Sequence, residues 1–390
     1  MEEEAPRESP QPQPGEAELD PERQRKAREY ARISRRLFFL DLAIGLAALL
    51  LLWLAGLSAD LRGALHLPRP ALIAAYTTVL IAGYGLLLSP LAVYSGHVLP
   101  RRYGLSVQSF GGWLFDVVKG GAISFLLGLG AVEGIYWLLQ RQPTLWWLWA
   151  AIAAFAVSVL LANLAPILIV PLFFKQRPLE DEDLKRRLLD LAQRARARVR
   201  GVFVMDFSRK TTTANAALMG LGNTRRIVLA DSLLQRYTPD EIEAVLAHEL
   251  GHHVHRDIPK LMAIQAATTL LGLYLVALVL DRATGHFGLR GISDIANLPL
   301  LLLTIGVLSF LLRPLSNALS RRIEADADRY AVEETQRPQA FISLMRKLVN
   351  QNLSEAEPAR WVKLLFYSHP PLAERIAIAR SYEDRQQQDR

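Results

Sequence analysis

Apolar runs of bilayer-crossing length alternate along this chain with polar, charged stretches. The runs cover residues 37–57, 71–93, 118–139 and 146–174, then, after a polar interval, 259–280 and 298–312. Roughly twenty apolar residues in a helix traverse a hydrocarbon core, so the pattern predicts about six transmembrane helices. Trp146, Trp147 and Trp149 cluster at the start of the fourth run, where amphipathic rings sit at a membrane interface. Pro259 and Pro299 mark ends or kinks of the last two runs.

The polar interval has its own periodicity. Leu184, Leu188, Leu191 and Ala195 recur at helical spacing, which predicts an amphipathic helix over residues 179–200. Residues 202–205 read as a short buried strand, and residues 215–221 and 226–229 as two strands joined at Gly222-Asn223. The expected fold is therefore mainly α, a polytopic membrane protein carrying a small α+β unit. Its divisions are a disordered basic tail (1–35), a four-span membrane domain (36–174), the α+β unit (175–258), two further spans (259–315), a charged C-terminal segment (316–380) and a polar tail (381–390).

Composition sharpens this picture. Hydrophobic residues make up 51% of the 390 and mean hydropathy is +0.16, high for a water-soluble chain. With no Cys, disulfides, thiolate ligands and a Cys nucleophile are excluded, and any metal must be held by His and carboxylates. The net charge of +7 suggests nucleic acid until the cations are mapped. They flank the apolar runs, notably Arg23 to Arg36 and Arg101-Arg102, so the partner they imply is the lipid bilayer and no nucleic acid. The positive-inside rule then puts the N-terminus, the 175–258 unit and the C-terminal segment in the cytoplasm.

The chemistry concentrates in residues 238–252. Thr238 suits a helix cap, Pro239 its first turn, and Glu241 the reciprocal position of a capping box. On that helix His248 and His252 fall one turn apart on one face, the spacing at which two imidazoles hold one Zn2+, with Glu249 placed as general base. In a chain with eight His, such an HExxH pattern arises by chance roughly once in a hundred. His253 and His255 read as flank residues, His255 being roughly 10 Å along the axis from His248. A third ligand is needed. Glu324 and Asp328 lie at i and i+4 on a helix leaving the last span, with Glu324 as ligand and Asp328 orienting a His ring. The same acids also read as a solvated stripe paired with Arg321 and Arg322.

HELGH at 248–252 and Asn317 through Asp328 resemble the integral-membrane zinc metalloproteases of the CAAX prenyl protease 1 type. The likeness extends to Tyr94 through Gly104, Trp113 through Gly120, Met205 through Leu234, and Ser368-His369-Pro370-Pro371 with Glu374-Arg375. Thr213-Ala214 and Ala217 depart from the family's pattern around the substrate strand, and six spans are counted where its eukaryotic members resemble a seven-helix barrel.

The resemblance implies a gluzincin-like unit with one Zn2+ per chain on His248, His252 and Glu324, Glu249 as acid/base, and Asp328 behind the ligands. It also implies that Asn215 and Ala216 lie on the edge strand that aligns a substrate backbone, with His369 and Arg375 near the scissile carbonyl. The expected protein is a membrane zinc metalloendopeptidase acting on membrane-associated peptide or protein substrates, in quality control or peptide processing, with CAAX-type cleavage a narrower option. Arg-rich usage suits a bacterial chain in the inner membrane. A scaffold or transport protein that kept the fold without activity is the rival, and the retention of Glu249 beside the ligands favours the enzyme.

Overall fold

A computed structural model describes residues 18–220, 222–283 and 289–388. Six helices among them are long and apolar enough to cross a membrane. They are α1 (Pro21–Leu54), α3 (Arg69–Val93), α4 (Phe110–Arg141), α5 (Trp146–Leu164), α8 (Asp257–Ala283) and α9 (Leu298–Thr335), with the short α2 (Leu57–Ala64) between the first two. Side chains such as Leu86 (77% exposed), Leu126 and Leu168 point outward, as a surface covered by lipid tails requires. Single π-turns at Tyr94–Val98 and Ala165–Ile169 carry α3 on to Arg102 and α5 on to Phe173. Pro166 lies in the second and Pro100 just beyond the first; a ring without an N–H fits poorly into a regular ladder, and the wider turn relieves it.

Both ends of the bundle are tied by polar contacts. At one end Arg62 pairs with Asp294, while the Tyr76 hydroxyl donates to Ser58, whose Oγ donates to the Ala296 carbonyl at 2.6 Å. At the other, Lys210 bonds Asp116 and an isolated bridge joins Ser106 to Thr211, fastening the α+β unit to the start of α4. Arg35 pairs there with Glu355 at 2.6 Å, and Arg23 Nε donates to the Asn350 carbonyl. The basic N-terminal segment and the α+β unit thus share one end of the bundle.

That arrangement corrects one expectation. Residues 18–35 are not a disordered tail: Asp20 caps α1, and Gln24 and Ala27 are buried against the segment around residues 350–356. The polar composition misleads because the covering surface lies more than 300 residues away. Residues 1–17 fall outside the described residues.

The α+β unit is a four-stranded sheet in the order β1 (Gln176–Pro178), β2 (Val202–Met205), β4 (Arg226–Ala230), β3 (Ala216–Met219). β2 and β4 run parallel and the other pairs antiparallel, so β3 is an edge strand. The predicted helix over 179–200 is the shorter α6 (Glu182–Arg194); Asp181 caps it, and Arg196 leaves it at a positive φ of 53°. β1 was not foreseen, being three residues of Gln-Arg-Pro without alternation.

The HExxH helix is α7 (Pro239–Val254), opened by the capping box of Thr238 and Glu241. Glu241 is fully buried, accepting from Ser343 at 2.6 Å and from Lys347 at 2.8 Å, both on α10 (Pro338–Gln351). The chain closes with α11 (Arg360–Phe366) and α12 (Leu372–Gln388). Two boundaries shift: α9 runs unbroken through 315/316, joining span and charged segment in one rod, and the polar tail is helical to Gln388.

Glu241→Ala removes a cap acceptor and leaves Lys347 without its buried partner, so stability is expected to fall by about 3 kcal/mol. Glu241→Gln keeps a cap acceptor and should lose less. Thermal unfolding of both variants in detergent measures the difference.

Candidate metal centre

α7 and α9 cross at unusually close range, and the site lies at that crossing. Gly251 permits it: a Cβ there would sit 3.0 Å from Ala327 Cα and 3.3 Å from its Cβ. Ala327 is itself fully buried. The close approach brings one turn of each helix together, His248 and His252 from α7 and Glu324 from α9.

Glu324 Oε2 lies 3.1 Å from His248 Nε2, and Glu324 Oε1 lies 3.8 Å from His252 Nε2. One ligand atom from each of the three falls within 4.8 Å of the others. Glu324 Oε2 is buried without a hydrogen-bond partner among the described residues, although two imidazole nitrogens converge on it. Two nitrogens and a carboxylate oxygen, close but poorly bonded to each other, are the donor set of a catalytic zinc with an open position, so these residues fit the ion.

Each imidazole is backed by a carboxylate. His248 Nδ1 lies 2.9 Å from Asp328 Oδ1, and Asp328 is fully buried. Arg375 donates to Asp328 through Nε at 2.8 Å and again through Nη2. His252 Nδ1 lies 3.0 Å from Asp257 Oδ2, a buried acid that also pairs with Lys260. Such outer carboxylates fix tautomer and ring orientation and make the ring a better donor. Burial by itself pulls the His248 imidazole down, but Asp328 and Glu324 outweigh it and lift the ring to about 9. Burial likewise pushes the Glu249 carboxyl up, against the pull of His248 and His252, which suits a group that must take a proton.

The edge of the sheet borders the same place. Ala230 N–H donates to the Asn215 carbonyl, and β3 pairs Ala216 with Leu229 and Ala217 with Val228. Antiparallel alternation therefore turns the N–H and C=O of Ala216 and Leu218 outward. Leu218 already uses its outward backbone to bond Glu249. Asn215 and Ala216 line a cleft of about 200 Å³ together with Val245, Glu249, His369 and Arg375. His369 Nε2 comes within 3.2 Å of Glu324 and is half exposed.

All the site residues expected from sequence thus border one locus. Arg375 lines the cleft while two of its N–H groups hold Asp328. The solvated-stripe alternative for α9 fails: the Glu324 and Asp328 side chains are 12% and 0% exposed, and Arg321 donates to the carbonyls of Lys363 and Tyr367 instead. His253 and His255 stay on the flank, beside Arg225 and Tyr330. Sequence reasoning missed Asp257 and Gly251. The signals were an acid opening an apolar span five residues after His252, and a glycine inside a helix with no turn to require it.

The bundle and this site define a multi-pass membrane metallopeptidase. Residues 178–383 match peptidase family M48, and residues 5–175 match the CAAX prenyl protease N-terminal family of five membrane helices. The uncharacterized metalloprotease YhfN of Bacillus subtilis is 31% identical, over 92% of this chain and 85% of its own. CAAX prenyl protease 1 of Saccharomyces cerevisiae is also 31% identical, over 74% of this chain and 67% of its own. The crystal structure of S. mikatae Ste24p superposes with a TM-score of 0.83 at 26% identity, covering 93% of this chain and 90% of that one. The chain belongs to peptidase family M48, as a membrane zinc metalloprotease of the CAAX prenyl protease 1 type.

Asp257→Asn should weaken zinc binding by about 10–100-fold while leaving the fold intact, because it loosens the His252 ring without removing a ligand. Competition against a zinc chelator reads the affinity directly.

Proposed function

We propose that this chain is an endopeptidase with one zinc per molecule, cutting membrane-associated proteins or peptides at the cytoplasmic face of a bacterial inner membrane. The observation that carries the reading is the His248, His252 and Glu324 cluster set beside the open edge of β3.

The ion, held by those three residues, would supply a Lewis acid and an acidified water. The chain's own groups do the rest. An extended peptide pairs with the outward N–H and C=O of Ala216, which sets its backbone across Glu249. Glu249 takes the proton from the attacking water and returns it to the leaving amine. His369, half exposed at the cleft, donates an N–H to the oxyanion that develops on the carbonyl. Arg375 holds Asp328, and Asp328 holds the His248 ring, so both act by positioning. Quality control or peptide trimming near the bilayer accounts for a site placed at the end of a helix bundle. CAAX-type cleavage is the second reading, favoured by the likeness to the S. cerevisiae protein named for it.

The orientation rests on charge. Arg23 to Arg36, Arg101 and Arg102 lie at the same end as the zinc unit, which the positive-inside rule assigns to the cytoplasm.

Glu249→Gln should keep about one zinc per chain and lose about 100-fold or more of its peptide hydrolysis. Glu324→Ala should lose both metal and activity, whereas Asp328→Asn should cost only about 10–100-fold in either. Zinc analysis beside a peptide-cleavage assay separates these; a Glu324→Ala protein that binds zinc and cleaves normally would move the third ligand elsewhere.

Orientation is tested with single cysteines, since the native chain has none. Thr144→Cys should react with an impermeant maleimide in intact cells, and Glu180→Cys only after lysis. The opposite pattern would place the zinc unit outside.

A further inference from the structure

Residues 113–120 and 205–210 supply no ligand to the metal centre, yet they meet at a pocket of their own. It has a volume of about 470 Å³ and lies where the start of α4 faces residues 171–174 and the segment after β2. Four cations line it, Lys119, Lys175, Arg209 and Lys210. Two carboxylates answer them: Asp116 takes both Lys119 and Lys210, and Asp206 pairs with Arg209 at 3.3 Å. Among the described residues no carboxylate comes within ion-pair distance of Lys175. The Arg209 side chain is 55% exposed, and a pair in that position is weak. The pocket therefore carries an excess of positive charge, and its two exposed cations are the least firmly held.

Its other wall is apolar and belongs to a membrane span. α4 is covered on two sides, where Trp113 packs on Gly96 and Phe173 on Gly120. Leu114, Phe115 and Val118 are left 43%, 66% and 61% exposed, an apolar face that only lipid tails suit. The charges begin where that face ends. Lys119 Nζ stands 4.7 Å from the centre of the Phe115 ring and donates to the Leu172 carbonyl at 2.7 Å, while Lys210 Nζ stands 4.7 Å from the Phe174 ring. Cations at headgroup level above an apolar helix face match both parts of an anionic phospholipid. A zwitterionic lipid brings its own cation, which the excess charge repels. We infer that this pocket binds the headgroup of an anionic phospholipid, its phosphate drawn to Lys175 and Arg209 and its acyl chains laid along Leu114, Phe115 and Val118. The site is separate from the metal centre and does not depend on the peptidase reading.

Because the native chain has no cysteine, one reporter can be placed cleanly: Val107→Cys, 51% exposed on the pocket wall, labelled with bimane. The full chain is studied in phosphatidylcholine bilayers containing a minor fraction of lipid with a quencher on its acyl chain. Quenching by labelled phosphatidylglycerol should half-saturate at about a tenfold lower mole fraction than quenching by labelled phosphatidylcholine, as two cations near the surface allow. Lys175→Gln/Arg209→Gln should make the two lipids equal. Arg186→Gln/Arg194→Gln removes the same charge from exposed side chains of α6 and should leave the preference intact. Both double variants should unfold at the native temperature in phosphatidylcholine, and phosphatidylglycerol should raise that temperature less when Lys175 and Arg209 are the residues replaced. Equal quenching by both lipids in the native chain overturns the inference. So does a preference that both double variants lose alike, since the lipid would then answer to overall charge. Displacement of the labelled lipid by inorganic phosphate at constant ionic strength would make the ligand a soluble anion and overturn the lipid assignment.

Discussion

Everything chemical in this molecule depends on how closely two helices cross. Gly251 meets Ala327 with no room for another carbon, and this contact sets the separation of the helix bearing the two histidines from the helix bearing Glu324. A separation even slightly larger would leave two imidazoles and a carboxylate too far apart to share one ion, since zinc bonds to nitrogen and oxygen are only about 2 Å long. Interiors packed at crystal-like density do not absorb an added methyl without moving something. The small residues at this crossing are therefore as much part of the site as its ligands.

The crossing would not hold its geometry without the buried charges around it. Asp328 is fully buried, and the Arg375 fork that holds it bridges the last helix of the chain to α9. Asp257 repeats the device for His252 from the first turn of the next span. Glu241 does the same at the far end of the HExxH helix, serving at once as cap, hydrogen-bond acceptor and partner of Lys347. Breaking the Asp328–Arg375 or the Glu241–Lys347 pair strands a charge away from water, the costly direction for an ion pair, which keeps these contacts formed. Two of the three acids lock an imidazole and the third fixes the helix on which both imidazoles ride.

The membrane helices also position the site. α9 is one rod from bilayer to metal ligand, so Glu324 is placed by the packing of a span as well as by the soluble unit. The segments Trp113 through Gly120 and Met205 through Lys210 meet through Asp116 and Lys210, far apart in sequence but joined where the unit sits on the bundle. Contacts from α1 to the region around residue 355 close the ring from the other terminus.

How much of this was legible beforehand follows the range of the forces involved. Helix caps, spans and the His pair are local: Thr238 and Glu241 are three residues apart, His248 and His252 one turn, and a bilayer imposes its thickness on any apolar run. The β3–β4 pairing was legible for the same reason, a short turn joining two alternating stretches. Pairing Glu324 with the histidines from sequence took a family resemblance, because nothing local tells a buried carboxylate from one on a solvated stripe. The order of residues 18–35, the strand β1, the Asp257 contact and the need for Gly251 were decided only by tertiary structure. Each depends on a surface supplied by a distant part of the chain, and burial, unlike periodicity, is a property that no segment carries by itself.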